Sequence, residues 1–240
     1  MDKKKTNVVE LRSMGKTYHG AVDTPVLFDI HLAIEKGSLN SIIGQSGSGK
    51  STLLNILGTL DKPTIGEVLV NGQLVNNMNA DKLAKLRNQT MGFVFQFHYL
   101  LPEFTVLENV LFPVSIEKNG KITDKDREKA LEIIELVGLS EKINVMSDSI
   151  SGGQQQRTAI ARALMNEPDI ILADEPTGNL DSDTSKSIYK LFCKINRDFG
   201  TTFIIVTHDD RIAAQTDRII EVRDGRIISD TVNKNVACPI

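Results

Sequence analysis

The spacing of apolar positions changes between segments of the chain. Runs typical of β-strands occur at NVVELRSM, VLFDIHLAI and SLNSIIG, and GEVLVNGQLV carries Asn71-Gly72 between two alternating runs, which predicts a hairpin. From Phe97 to Asn166 the apolar positions repeat at helical spacing, and no strand pattern stands out. Strand and helix patterns then alternate again from Pro168 onward. This order predicts an α/β protein with a helical insertion.

Two of the predicted helices carry long apolar faces. Residues that lie three or four positions apart share one side of a helix, so such faces indicate packing against a core. The first face consists of Ala130, Leu131, Ile133, Ile134 and Val137, and the second of Ile188, Leu191, Phe192, Ile195 and Phe199.

A glycine-rich segment, GQSGSGKST, lies between the strand pattern LNSIIG and the helix pattern TLLNILG. It matches the phosphate-loop pattern G-x-x-x-x-G-K-[ST], whose backbone N–H groups surround a phosphate chain. An ordinary Gly/Ser turn is the simpler alternative, but the flanking strand and helix are the context that a phosphate loop requires. We therefore predict nucleoside triphosphate binding, with Lys50 at the β and γ phosphates, a Mg²⁺ ligand at Ser51, and contacts from Gly44, Gln45, Ser46, Gly47, Ser48, Gly49 and Thr52.

Polar side chains follow three further strand patterns, where ligands bind in open α/β sheets. Asp174 and Glu175 follow IILA, and because neighbouring strand residues point in opposite directions, we expect different roles for them. Asp174 is the candidate Mg²⁺ ligand, and Glu175 is the candidate to polarise the attacking water. The alternative is an acidic pair that caps a turn. Gln96 and His208 end two more strands and are candidates to read the γ-phosphate or its metal.

Composition narrows the class of protein. The 240 residues carry a net charge of −3, which leaves no basic footprint for nucleic acid. The longest unbroken apolar runs contain four residues, whereas a membrane-spanning helix needs about 20. The basic start has no apolar region behind it, so we expect no secretory signal and a cytoplasmic protein. Cys193 and Cys238 lack metal-ligand spacing, and we expect both to be reduced thiols.

The ordered motifs GQSGSGKST, FVFQ, ISGGQQQR, IILADEP, GNLDS and VTHD resemble those of the nucleotide-binding subunits of ABC transporters, over about residues 7 to 230. Kinases, GTPases and helicases with phosphate loops lack the SGGQ signature. The resemblance implies that Tyr18 stacks on adenine and that Asn179, Leu180 and Asp181 form a loop between two sites. It also implies that a signature segment binds the γ-phosphate of ATP held by the opposite protomer, through Ser151, Gly152, Gly153 and Gln154.

The same resemblance implies a RecA-like P-loop core with an antiparallel β subdomain and an inserted α-helical subdomain, the ABC ATPase fold. We divide the chain into 1–96, the first part of the core with the β subdomain, 97–167, the helical signature subdomain, and 168–240, the rest of the core. The implied activity is hydrolysis of ATP with Mg²⁺, with Glu175, His208, Gln96 and Lys50 as catalytic residues and Ser51, Gln96 and Asp174 as metal ligands.

The implied partners are integral membrane permease subunits and a second copy of the chain in the presence of ATP, with no nucleic acid. We expect a peripheral position on the cytoplasmic face of the inner membrane. Within the family, QFHYLLPEFTVLENVLFP and LADEPTGNLD are most similar to lipoprotein-releasing ATPases, with the macrolide-exporter and cell-division groups as alternatives. A soluble ABC-type ATPase acting on DNA or ribosomes and a regulatory module without turnover are further alternatives.

An unusually apolar stretch after Gln96 is a candidate docking surface for the permease. The alternative is that it packs into the core of the helical insertion. Its members are Phe97, Tyr99, Leu100, Leu101 and Phe104.

Overall fold

The computed structural model describes residues 6–233, whose strands form two sheets. The first is antiparallel and consists of β1 (Asn7–Tyr18), β2 (Thr24–Glu35), β4 (Ile65–Val70) and β5 (Gln73–Leu74), in the order β2-β1-β4-β5. The second consists of β3 (Leu39–Ile43), β6 (Met91–Phe95), β7 (Ile170–Asp174), β8 (Thr202–Val206), β9 (Arg218–Arg223) and β10 (Arg226–Val232), in the order β10-β9-β3-β8-β7-β6. All its pairings are parallel except that of β10 with β9. The predicted α/β class is confirmed.

Helices cover the second sheet and make up the insertion. They are α1 (Lys50–Leu57), α2 (Ala80–Thr90), α3 (Val106–Glu117), α4 (Asp124–Leu136), α5 (Gly152–Leu164), α6 (Ser182–Phe199) and the short α7 (Asp210–Ala213). The segment 97–166 contains α3, α4 and α5 and no strand, as the pattern predicts. Among residues 6–233, no helix has the length and apolar character needed to cross a bilayer.

Local sequence signals set several of these boundaries. Asn71 and Gly72 adopt φ values of 48° and 76°, so the predicted hairpin between β4 and β5 turns through two left-handed residues. A reciprocal capping box begins each of the three insertion helices. In each box, the hydroxyl of the Ser or Thr cap accepts a hydrogen bond from the backbone N–H of the third helical residue, and the side chain of that third residue accepts one from the backbone N–H of the cap. The pairs are Thr105 with Glu108, Thr123 with Asp126, and Ser151 with Gln154.

The register of the parallel sheet aligns the carboxyl ends of four strands. Phe95 of β6 pairs with Asp174 of β7, Asp174 pairs with Val206 of β8, and Val206 pairs with Ile42 of β3. The residues that follow these positions therefore leave the sheet along one edge. That edge carries the phosphate loop together with the polar residues that end β6, β7 and β8, as expected for an open α/β sheet.

Most predicted core positions are buried, with two corrections. Ala130, Ile134 and Val137 are fully buried, but Leu131 is 40% exposed. A helix turns about 100° per residue, so Leu131 lies about 100° around α4 from the buried Ala130, at the edge of the apolar stripe. Phe199 is 63% exposed although it continues the α6 stripe, because it is the last residue of the helix and borders a surface groove.

The prediction of reduced thiols is wrong for Cys193, which is buried on α6 and disulfide-bonded. Spacing along a chain contains no information about which residues the fold brings together, so no local pattern indicated a bond at Cys193. The prediction for Cys238 lies outside the described residues.

Candidate nucleotide-binding site

The segment 44–52 leaves β3 and enters α1, and two of its glycines are required by their surroundings. Gly44 has φ of 148°, and a Cβ there would lie 2.1 Å from the carbonyl oxygen of Val222. Gly49 has φ of 103°, and a Cβ there would lie 2.8 Å from a methyl group of Leu27. A side chain at either position would displace the loop. The glycines of the phosphate-loop pattern are thus explained by backbone geometry as well as by phosphate chemistry.

The first two residues of α1 carry the polar groups expected at a phosphate site. The Lys50 ammonium donates to the carbonyl oxygens of Gly44 at 2.9 Å and Gln45 at 2.7 Å. The Ser51 hydroxyl donates to a carboxylate oxygen of Asp174 at 3.4 Å. Both groups lie at the positive end of the α1 dipole, where anions are stabilised.

A cleft of about 420 Å³ opens above this loop. It brings the loop together with Glu175 and His208, which are distant in sequence but were both predicted to belong to the site. Gln45 and Ser48 pair inside the loop, where the N–H of Ser48 donates to the carbonyl of Gln45 at 3.2 Å. The residues that line the cleft are Val26, Gly44, Ser46, Gly47, Gly49, Lys50, Ser51, Thr52, Glu175, Val206 and His208.

The adjacent carboxylates contact different partners, as their strand geometry predicts. Asp174 faces Ser51, and burial raises the pKa of Asp174; the hydrogen bond from Ser51 opposes this shift and the charge of Glu175 adds to it. Glu175 instead places a carboxylate oxygen 2.8 Å from Nδ1 of His208. Its backbone has φ of 47°, and its N–H donates to the carbonyl of Val206 at 2.9 Å. Left-handed geometry at a non-glycine residue costs roughly 1–3 kcal/mol and is concentrated at functional sites.

Gln96 lies on the same edge of the sheet but contacts another loop. Its amide nitrogen donates to the side-chain oxygen of Asn179 at 3.0 Å, and the same nitrogen would lie 2.7 Å from a Cβ at Gly178. Gln96 is therefore held by the loop that follows Glu175. Its contact with a metal stays a prediction.

The signature segment begins α5, and Asp181 begins α6. The Gly152 Cα is open, since a Cβ there would meet only a methyl group of Leu180 at 3.8 Å, whereas a Cβ at Gly153 would lie 2.7 Å from Thr184. Asp181 accepts hydrogen bonds from the backbone N–H groups of residues 183 and 184, both at 3.0 Å. None of the signature residues lines the cleft above the phosphate loop of the same chain. One chain thus presents two separate glycine-rich helix starts.

Tyr18 ends β1 and is 42% exposed. Its hydroxyl donates to Asp61 at 2.9 Å, and the Lys16 ammonium lies 4.6 Å from the centre of its ring. Tyr18 was a candidate from the sequence, whereas its neighbours Lys16 and Asp61 and the cleft residue Val26 match no motif and were not predicted. The only signal for Lys16 was its place two residues before the aromatic side chain, on the same face of a strand.

The sequence pattern of the ABC transporter family matches residues 27–178. The chain is 47% identical over 226 residues to the lipoprotein-releasing system ATP-binding protein LolD 1 of Caulobacter vibrioides, covering 94% of this chain and 96% of the relative. It is 44% identical over 221 residues to LolD of Shewanella denitrificans, covering 92% and 94% of the two chains.

Solved structures agree with the sequence relatives. The ATP-binding cassette MJ0796, solved as a dimer in a post-hydrolysis state bound to ADP and Pi, superposes with a TM-score of 0.86 at 43% identity, covering 95% of this chain and 99% of the cassette. A second dimeric structure of the same bacterial ABC transporter cassette gives the same values. The fold is therefore that of an ABC ATPase cassette, and the chain belongs to the ABC transporter family as one of its ATP-hydrolysing subunits.

Proposed function

We propose that this chain hydrolyses ATP to power the release of lipoproteins from the inner membrane, in complex with an integral membrane permease. The similarity to two lipoprotein-releasing ATPases along almost the whole chain carries this proposal. No observation favours macrolide export, cell division or action on DNA or ribosomes over lipoprotein release. Docking on a permease would hold the protein peripherally at the cytoplasmic face of the membrane.

The cleft above the phosphate loop suits ATP and Mg²⁺. The phosphates would lie against residues 44–52, where Lys50 now donates to two neutral carbonyl groups that a triphosphate would outcompete. The Ser51 hydroxyl and the Asp174 carboxylate are oxygen donors, which Mg²⁺ prefers, and we assign Gln96 as a third ligand. When bound, Mg²⁺ neutralises charge on the phosphates. We assign Tyr18 to the adenine.

Glu175 and His208 are the groups we assign to the chemical step. The Glu175 carboxylate would orient the attacking water and accept its proton, which requires that the carboxylate be held in one place. The hydrogen bond to Nδ1 of His208 and the backbone bond to Val206 both restrict it. His208 would also contact the γ-phosphate through its second ring nitrogen. Lys50 would stabilise the charge that develops during transfer.

We infer that two protomers combine head to tail, so that the signature segment of one completes the site of the other. The separation of the two glycine-rich helix starts within one chain supports this arrangement. Residues 151–154 would then bind the γ-phosphate on the partner's loop, with Asp181 between the sites. We also propose the division into segments 1–96, 97–167 and 168–240. In this division the phosphate loop belongs to the first segment and the signature helix start to the second.

The proposed function predicts what this protein does with its membrane partner. Tagged protein extracted from its native membranes in detergent should retain an integral permease. In proteoliposomes, that complex should release a bound lipoprotein to a soluble acceptor only when ATP is added, as measured by acceptor-bound lipoprotein. A complex with Glu175→Gln serves as the control and should keep the permease without releasing lipoprotein. Recovery of ribosomes or DNA, or a permease complex that leaves the lipoprotein in the membrane, would contradict the proposal.

Exposure divides the apolar stretch after Gln96 into two parts. Phe97 and Tyr99 are 68% and 64% exposed, whereas Leu101 and Phe104 are partly buried and Phe104 packs edge-on against Phe112. We therefore assign the permease dock to the first two residues and packing of the insertion to the others. Exposed aromatic residues of this kind are frequent at interfaces.

The dock is joined to the signature helix. Arg162 of α5 donates to the carbonyl oxygens of His98 at 2.7 Å and Tyr99 at 2.6 Å, and the His98 ring contacts the side chain of Gln156, also on α5. A displacement of α5 caused by nucleotide would therefore displace the dock. This connection supplies a route from ATP binding to the permease.

Phe97→Glu should lower the amount of permease that co-purifies with the protein by about tenfold or more. The reason is that a carboxylate would have to be buried in an apolar contact. The isolated variant should keep its melting temperature and ATP affinity, since the ring is mostly in solvent. Phe199→Glu is the matched control, because Phe199 is 63% exposed at the far end of α6. Equal permease recovery with both variants would remove Phe97 from the interface.

A further inference from the structure

Three side chains from two distant segments, Lys16, Tyr18 and Asp61, form a hydrogen-bonded cluster. Lys16 is only 9% exposed, and its ammonium donates to one carboxylate oxygen of Asp61 at 2.6 Å and to the carbonyl of Lys62 at 2.8 Å. The other carboxylate oxygen of Asp61 accepts from the hydroxyl of Tyr18 at 2.9 Å. The two carboxylate oxygens of Asp61 thus accept hydrogen bonds from two residues of β1, Lys16 and Tyr18.

The cluster restrains the tyrosine ring at its hydroxyl and on one face. Its hydroxyl is held at one end by Asp61, and the Lys16 ammonium lies 4.6 Å from the ring centre, within cation–π range. Burial raises the pKa of Asp61, but the hydrogen bonds from Lys16 and Tyr18 outweigh it, so the pKa lies below the usual range and the carboxylate stays charged. One face of the ring is covered by the ammonium, and Tyr18 as a whole is still 42% exposed.

The strand pairing brings this ring close to the phosphate loop. Tyr18 pairs with Thr24 and Lys16 pairs with Leu27, so Val26, which lines the cleft, lies on the segment of β2 between these partners. Leu27 itself is the residue that a Cβ at Gly49 would strike. Asp61 in turn follows α1, the helix that begins at Lys50. The ring is therefore fixed relative to the loop from two directions.

We propose that Asp61 and Lys16 are positioning residues that orient the Tyr18 ring for stacking on the nucleobase and so set the affinity for the base without affecting that for the phosphates. The inference rests on the proposed contact between Tyr18 and adenine. It assigns a role in binding the nucleobase to two charged residues outside the family motifs. Because the ring is held before the nucleotide arrives, less conformational freedom is lost on binding.

The test compares a ligand that has a base with one that has none. Dissociation constants for Mg-ATP and for inorganic tripolyphosphate with Mg²⁺ are measured in a Glu175→Gln background by competition with a fluorescent ATP analogue. Tyr18→Ala should weaken ATP binding about tenfold or more, which is the range of base–aromatic stacking. Asp61→Asn and Tyr18→Phe should each weaken it roughly threefold to tenfold. Tripolyphosphate affinity should stay within about twofold for all three, a change too small to signal a lost contact.

Two further measurements separate positioning from a general structural role. The double variant Tyr18→Phe with Asp61→Asn should bind ATP no more weakly than Asp61→Asn alone, because Asp61→Asn already disrupts the contact with the Tyr18 hydroxyl as well as that with Lys16. In the chain that retains Glu175, Asp61→Asn should raise the KM for ATP severalfold more than it lowers kcat. Glu67→Gln is the control, since Glu67 is an exposed carboxylate on β4 of the same sheet, beside Arg12 at 3.7 Å.

Three different outcomes would contradict the inference, each at a different step. Equal weakening of ATP and tripolyphosphate by Asp61→Asn would make Asp61 a structural residue and overturn the inference. Loss of ATP affinity with Tyr18→Ala but not with Tyr18→Phe or Asp61→Asn would overturn the positioning role and leave the adenine contact standing. Unchanged ATP affinity in Tyr18→Ala would overturn the adenine contact itself, and the inference with it.

Discussion

Glu175→Gln is expected to lower kcat for ATP hydrolysis by about 10²- to 10⁴-fold while leaving ATP affinity nearly unchanged. The amide removes the carboxylate to which we assign the proton of the attacking water, but it keeps the size of the side chain and can accept a hydrogen bond from His208. The backbone bond to Val206 and the groups at Lys50 and Ser51 are untouched. Phosphate release under single turnover and equilibrium nucleotide binding measure the two effects separately.

The control is Glu132→Gln, an exposed position on α4 that belongs to none of the motifs, which should hydrolyse ATP at the rate of the parent protein. A Glu175→Gln protein that turns over ATP at more than about a tenth of that rate would remove Glu175 from the role of base. Loss of ATP binding would instead show that its carboxylate belongs to the nucleotide-binding surface.

ATP should convert Glu175→Gln from monomer to dimer, and adding Gly152→Asp should return it to monomer. The slow variant keeps ATP in place, so the closed pair accumulates. An aspartate at residue 152 would place a negative charge against the partner's γ-phosphate and remove the open space at this helix start. Within one chain we expect the substitution to be tolerated, because a Cβ at residue 152 would lie 3.8 Å from a methyl group of Leu180. Sedimentation velocity with and without ATP measures the change.

Asn119→Asp in the same background is the matched control, since it adds the same charge in an exposed turn after α3 and should leave the ATP-dependent dimer intact. Nucleotide binding to the phosphate loop should be retained in both double variants. A Gly152→Asp protein that still dimerises with ATP would rule out the head-to-tail arrangement for this chain.

The sequence alone predicted those groups of the candidate site that are defined by local pattern. A phosphate loop needs glycines at fixed spacing and a lysine at its end, and Gly44 and Lys50 meet both requirements within a few residues. Strands buried on both faces read as continuous apolar runs, so the positions of Asp174 and His208 at strand ends followed from the local pattern of apolar residues. Helix starts are also local features, because a capping box such as that of Ser151 is complete within four residues.

Contacts between distant segments were decided only by the tertiary structure. The sheet order and register place Glu175 beside His208, direct Gln96 to Asn179, and bring Asp61 against Tyr18 and Lys16. The tertiary structure also decided the exposure of Phe199, because the apolar stripe of α6 extends beyond the core surface against which the helix packs. Periodicity reports which face of an element is apolar, because that depends on neighbours along the chain. Which element meets that face depends on packing across the whole chain, which no local pattern contains.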